Sequence, residues 1–278
     1  MYKKFLIIIS KQDPAGMNIG NQLNQFRFNP MLNAMKNQAS FDFYLVEDSV
    51  LYAENLSFEK ISQYDFLIFA SKHKSEKKEK TLCLHAPGNF KEANLGGADK
   101  KLSKTSSQFM KFLFEKMIQN AKEHELDKKY KVTLEATHHG PLVGIPCCFI
   151  EIGSTEFEWK DRQAGFVLAK AIRDAIEKFK PNPYNENAIA IGGPHYAPNF
   201  NIIQEKSNYA ISHLIPQYVL PLTEEILNET IEKTQEDIDL AIVDYKGLGK
   251  KEERDAVIEI LEKNYIRWKK TSDVKKEI

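Results

Sequence analysis

Apolar residues in this chain fall into short uninterrupted runs separated by polar and turn-forming stretches. "KKFLIIIS" has a basic start and a continuous apolar run, the pattern of a central strand covered on both faces. "FDFYLVE" and "YDFLIFASKH" read as further strands that end in polar residues. "SKQDPAGMNIGNQL" begins with the turn formers Asp13, Pro14 and Gly16 and is expected to be a connection. The charged run "SKHKSEKKEKTL", from Ser71, is expected to be a solvated loop. "TLCLHAPGNF" gives a short strand closed by Pro87-Gly88, and "YKVTLEATHHGP" and "GIPCCFIEIGST" give two more. "AIAIGGPHYAPNF" is another strand, and "IDLAIVDYKGLGKKEERDAVIEILEK" reads as strand, loop and helix.

Two segments carry a helical stripe. "SSQFMKFLFEKMIQNAKEH" places Phe109, Phe112, Leu113, Met117 and Ile118 on one face, which we read as core. The second has apolar or small residues from Ala164 to Phe179 at spacings of three and four, and Thr155 with Glu158 forms a capping box expected to start it. Buried strands alternating with amphipathic helices predict an α/β protein of three layers, with a mixed, largely parallel sheet and helices on both faces. At 278 residues the chain can bury a substantial core. We expect one unit over residues 1–278, with an N-terminal α/β lobe at about 1–70.

Composition narrows the function classes. Acidic and basic residues balance at 39 each, so a nucleic-acid partner would have to be held by a local patch, and no DNA partner is expected. Cys83, Cys147 and Cys148 offer no C-x-x-C pair and are expected to be reduced core thiols. No apolar run approaches the ~20 residues of a membrane span, and the opening run is too short for a signal peptide. A cytoplasmic protein without a membrane partner is expected.

Chemistry gathers where the apolar runs end. His73, His85, His138, His139 and His195 all follow such runs, and in open α/β sheets ligands bind at the carboxyl ends of strands. His124 lies near a helix end and is expected at the surface, and the charged neighbours of His73 suggest exposure there too. In "EATHHGP", strict strand alternation puts Glu135, Thr137 and His139 on one face and His138 on the other. The Gly140-Pro141 turn relaxes that alternation, so both histidines can reach one pocket. Glu151 sits among Phe149, Ile150 and Ile152 and needs a partner, whether a metal, a histidine or a lysine. Gly192, Gly193 and Pro194 let the backbone before His195 approach a ligand closely. "DYKGLGKKEER" sets Gly247 and Gly249 between strand and helix beside Lys246, Lys250 and Lys251, a potential anion site whose spacing is not Walker A.

Five blocks taken together are more specific than any of these features: "SKHKSEKKEKTLCLHAPGN", "EATHHGPLVGIPCCFIEIGSTEFEW", "IGGPHYAPNF", "SHLIPQY" and "VDYKGLGKKEER", running in that order from residue 71 to residue 254. Through them the sequence resembles the archaeal and plant type of D-aminoacyl-tRNA deacylase. The first seventy residues match only in general character. The resemblance implies zinc-dependent hydrolysis of the ester joining a D-amino acid to the terminal ribose of tRNA, a step of chiral quality control in translation. It also implies an α/β fold similar to the peptidyl-tRNA hydrolase and phosphorylase type, and the acceptor end of tRNA as partner. On this reading His85, His138, His139 and His195 are the candidate zinc ligands. Glu135 and Glu151 join His138 and His139 as candidate catalytic groups, while His73, His85, His195, Lys246, Gly247 and Gly249 contact the substrate. Two other classes compete: a nucleotide- or nucleoside-binding α/β protein without deacylase activity, and a non-enzymatic tRNA-binding module, which the neutral charge disfavours.

Overall fold

A computed structural model describes residues 2–28, 40–56, 58–180 and 182–278. In chain order its elements are β1 (Lys4–Ser10), α1 (Pro14–Phe28), β2 (Ser40–Val46), α2 (Phe58–Ile61), β3 (Phe66–Lys74), β4 (Thr81–His85), α3 (Ser107–Glu123), β5 (Lys131–Leu134), β6 (Cys147–Ser154), α4 (Glu156–Trp159), α5 (Arg162–Lys178), β7 (Glu186–Ile191), α6 (Pro198–Lys206), β8 (Tyr209–Ile215), α7 (Glu224–Glu232), β9 (Leu240–Val243), α8 (Lys251–Lys263), β10 (Trp268–Lys270) and α9 (Thr271–Val274). The strands form two sheets, ordered β2-β1-β3-β6-β4-β5 and β10-β9-β7-β8. Neighbours are parallel throughout except for the β4–β6 pair. This is the mixed, largely parallel α/β arrangement expected from the sequence, although the division into two sheets has no local signature.

The uninterrupted apolar run of β1 is explained by burial on both sides. Phe5, Ile7 and Ile9 enter the large core under α1, α3 and α5, while Leu6 and Ile8 face a second cluster with Phe69, Phe149 and Val50. In the other sheet Ala188, Ala190 and Ile211 join the large core with Phe200 of α6, and Ile189 and Ile191 pack towards Leu227 of α7 and Val257 of α8. The stripe of α3 is core as expected, and Phe109 packs tilted against Phe66 at 4.5 Å between ring centroids. Cys147 and Cys148 enter opposite clusters, and all three cysteines are free and buried. Among the described residues no helix is long and apolar enough to cross a membrane.

Three local expectations are corrected, and one strand is added. The stretch after β1 is not a connection but the start of α1, because Asp13 accepts the amides of Ala15 and Gly16 and Pro14 takes the first helical position. The charged run from Ser71 does not begin as a loop: β3 continues to Lys74, with Ser71 and His73 buried and Lys72 and Lys74 exposed. The Thr155–Glu158 capping box starts only the short α4, and α5 has its own cap, Asp161, which accepts the amide of Gln163 at 2.9 Å. Finally, β8 crosses "YAISHLI", whose polar Ser212 and His213 disguise a fully buried strand.

Candidate active site

Three adjacent strands build the floor of the site. Their register aligns Ser71 with Glu151 and Cys83, and His73 with Gly153 and Thr81. A period of two then brings Phe69, Ser71 and His73, together with Phe149, Glu151, Cys83 and His85, to one face. Gly153 makes room there, since a Cβ at this position would lie 2.6 Å from Cδ2 of His73 and 2.5 Å from the Thr81 hydroxyl. Phe149 stacks on His85 at 5.1 Å and 12° and fixes its ring. One expectation changes in geometry: β4 and β5 run against β6, so His85 and Glu135 reach the site from the opposite direction to His73.

The "EATHHGP" segment begins where β5 ends. Glu135 donates its amide to the Leu84 carbonyl, Ala136 to that of His195, and Thr137 to that of Leu214, so the segment is tied to both sheets. Thr137 does not share a face with Glu135 and His139: its hydroxyl accepts the Leu214 amide and meets Nδ1 of His213 at 3.1 Å. His139 takes a left-handed conformation at φ 43°, unusual for a residue with a side chain, and this turns its ring to within 4.3 Å of that of His138. The relaxation of alternation expected at this turn therefore occurs. The turn after β7 supplies His195, whose ring lies 4.6 Å from that of His138.

The five histidines and both glutamates thus converge. Glu135 Oε1 lies 3.0 Å from Nδ1 of His73 and 3.8 Å from Nε2 of His195, and Oε2 lies 3.9 Å from Nε2 of His138. Glu151 accepts the Ser71 hydroxyl with one oxygen and holds the other 3.7 Å from both His73 and His85. His85, His138 and His139 donate Nδ1–H to the carbonyls of Ala86, Ala136 and Gly140, which leaves each Nε2 as a lone pair. His73 is buried at 7% exposure, contrary to the expectation from its charged neighbours, and its Nε2 meets the Tyr196 hydroxyl at 2.7 Å.

Burial sets the protonation states. It pushes His85, His139 and His195 down to about 4 and His138 and His73 below the usual histidine range, so the rings are neutral at pH 7. Burial, reinforced by the nearby Glu151, pushes Glu135 well above the usual carboxylate range. Among the described residues, both Glu135 oxygens and Nε2 of His85 are buried with no hydrogen-bond partner. Unpaired buried acceptors are costly, and a cation satisfies several at once. His85, His138 and His139 offer ligand atoms within 4.8 Å of one another, as do His85, Glu135 and Glu151, and Glu135, His138 and His195. His73 and Glu135 form a further such group with Cys83, which thus borders the site as well as the core. Neutral imidazole and carboxylate are a donor set suited to a divalent metal.

A cavity of about 410 Å³ opens on this cluster, lined by Glu151 and by His73, His138, His139 and His195. Val50, Leu51 and Leu95 add apolar surface, and Asp13 adds a second carboxylate that no sequence pattern had marked. The glycine loop lies next to the turn that carries His195, since Gly193 donates its amide to the Gly247 carbonyl. Two of its amides already have partners, Gly247 on Asp244 and Lys250 on Glu253, and the exposed ammonium groups of Lys246, Lys250 and Lys251 stand beside them to meet an anion. Gly249 closes the loop at φ 100°. His124 is half-buried, caps α3 and packs on Phe166.

His213 holds the segment from behind and yields a stability prediction. It is fully buried, its Nε2–H donates to the Lys233 carbonyl, and burial lowers it from 6.5 to about 4. The unfolded chain binds the proton that the folded chain refuses, so this contribution is complete above about pH 6.5 and falls as pH drops towards 4, by on the order of 3 kcal/mol. His213→Asn is expected to flatten the loss of stability between pH 7 and pH 4.5 in urea titrations, and an unchanged slope would show that another group carries it.

Residues 60–269 match the family model of D-aminoacyl-tRNA deacylase. A D-aminoacyl-tRNA deacylase of Methanocaldococcus jannaschii is 32% identical over 274 residues, covering 96% of this chain and 99% of that one. One of Thermococcus onnurineus is 35% identical over 256 residues, covering 87% and 91%. The crystal structure of a conserved protein of unknown function, AF0625, superposes with a TM-score of 0.85 at 29% identity over 99% of this chain and 97% of that one. With a family match over most of its length and such relatives spanning nearly all of it, the chain belongs to the D-aminoacyl-tRNA deacylase family.

Proposed function

We propose that this chain hydrolyses D-aminoacyl-tRNA, such as D-tyrosyl-tRNA, as one catalytic unit over residues 1–278, with zinc held by the histidine cluster and the tRNA acceptor end at the cavity. The observation that carries this reading is the convergence of neutral imidazoles and two carboxylates, with unpaired buried acceptors, on a cavity of about 410 Å³. His85, His138, His139 and His195 are the ligands, the first three presenting Nε2 because Nδ1–H is spent on a backbone carbonyl. Zinc held there would supply a Lewis acid able to activate water near neutral pH and to polarise the ester carbonyl.

The side chains divide the remaining work. Glu151 lines the cavity and is steadied by Ser71, so it takes the proton from the attacking water and returns it to the departing ribose oxygen as the ester C–O bond breaks. Glu135 lies behind the rings, within 3.0 Å of His73 and 3.8 Å of His195, where its carboxylate would offset the charge of a metal held by the cluster. His73 and His195, at the cavity wall, contact the ribose, and Val50, Leu51 and Leu95 receive the amino-acid side chain. Lys246, Lys250 and Lys251, on the loop that includes Gly247 and Gly249, meet acceptor-end phosphates.

The test is time-resolved release of D- and L-tyrosine from matched charged tRNAs, before and after chelation. D-tyrosine is expected to be released far faster than L-tyrosine, with the activity lost on metal removal and restored by zinc. Release of D-tyrosine that survived complete metal removal would overturn the zinc assignment. Failure to cleave either ester would favour a nucleotide-binding role.

A further inference from the structure

Tyr218 is an aromatic ring left 55% exposed yet held in a single orientation. It lies on a short helical turn, Gln217–Val219, that is fixed at both ends. The Gln217 amide donates to the Gly193 carbonyl at 3.0 Å, and Val219 is buried in the core beside Ile191 and Ile215. The Tyr218 hydroxyl meets Nδ1 of His195 at 3.1 Å, with the two rings 29° from parallel. His195 lines the cavity, and Tyr218 sits on the other edge of that ring, just outside it. Lys91, itself exposed, donates its ammonium to the Tyr218 carbonyl at 3.2 Å and so places a cation on the same turn.

We propose that Tyr218 is the platform on which the terminal adenine of the acceptor end stacks, with Lys91 against the phosphate that precedes it. This rests on the ester-hydrolysis reading: when the scissile carbonyl lies among Glu151 and the histidines, the ribose abuts His195 and its base emerges at the cavity rim. A rigid exposed ring suits a base because stacking uses only the π-face and is spared the entropy of ordering a mobile side chain. It also suits this substrate class, since every tRNA ends in the same nucleoside whatever amino acid it carries. A platform on the adenine lets one site serve many D-aminoacyl-tRNAs.

The test compares the zinc-loaded wild type with Tyr218→Ala, Tyr218→Phe, Tyr218→Trp and Lys91→Ala on three esters: D-tyrosyl-tRNA, D-tyrosyl-adenosine and D-tyrosine methyl ester. Tyr218→Ala is expected to lower kcat/KM for the two nucleoside esters about ten- to a hundredfold more than for the methyl ester, mainly through KM. Tyr218→Phe and Tyr218→Trp, which keep a ring, are expected to retain most of that selectivity. Calorimetric binding of adenosine 5′-monophosphate gives a readout without turnover: it is expected to weaken at least about tenfold in Tyr218→Ala, and in Lys91→Ala to weaken while adenosine binding holds. Equal losses on all three esters would overturn the proposal. So would a Tyr218→Phe defect as large as that of Tyr218→Ala, which would mean that the hydroxyl only orients His195. Ring-dependent nucleotide binding without cleavage of any D-tyrosyl ester would uphold the subsite and overturn the hydrolytic reading instead.

Discussion

His139→Ala is expected to lower single-turnover cleavage of D-tyrosyl-tRNA at least about a hundredfold and to reduce bound zinc, while the protein stays folded. The imidazole stands 4.8 Å from the ring of His85, 4.3 Å from that of His138 and 4.8 Å from that of Phe149, so its loss removes a donor from the centre of the cluster. The fold should persist, because the hydrogen bonds that tie this segment to both sheets come from Glu135, Ala136 and Thr137 and are untouched. Metal content by mass spectrometry and unfolding in urea separate the two effects. If zinc content and turnover both stayed at the wild-type level, "EATHHGP" would be only a strand end that carries polar residues.

Gly140→Ala should be more damaging than its size suggests. A Cβ there would lie 2.3 Å from the Gly97 amide nitrogen, 2.4 Å from the carbonyl carbon of Gly96 and 2.6 Å from the Leu51 oxygen, all of them backbone atoms that cannot step aside as a side chain can. Three loops would have to part, at about 3 kcal/mol or more, and the Gly140 carbonyl that receives Nδ1–H of His139 would move with them. Gly144→Ala is the control, since no atom of the described residues lies within 4 Å of its Cβ position. The urea midpoint is expected to fall sharply for Gly140→Ala and to hold for Gly144→Ala. Equal midpoints would show that the loops around Gly96 yield more easily than their contacts imply.

Legibility in the sequence followed the range of the forces involved. The stripes of α3 and α5 were readable because helical period and burial are local, and the need of Glu151 for a partner followed from its apolar neighbours alone. The partner itself, Ser71, was hidden in a run whose lysines suggested solvent, because alternation along β3 sends Lys72 and Lys74 outward and Ser71 and His73 inward. The reversal of β4 and β5 depends on strand pairing across the chain, which leaves no trace in either segment. Thr137 was assigned to the wrong face and His213 was missed for a related reason: each looks like a polar interruption until the other is placed beside it.

The tie between the "EATHHGP" segment and β8 makes the site a seam between two sheets. Its side chains come from positions as distant as His73 and His195, so the unfolded chain holds no ready-made claw for an ion beyond the adjacent pair His138 and His139. Capture of the proposed ion would have to follow assembly, and the ion would then act as a rivet through both sheets. At a hundred times its dissociation constant a ligand restricted to the folded state adds about 2.7 kcal/mol, so occupancy of this seam is reported by heat resistance as directly as by turnover.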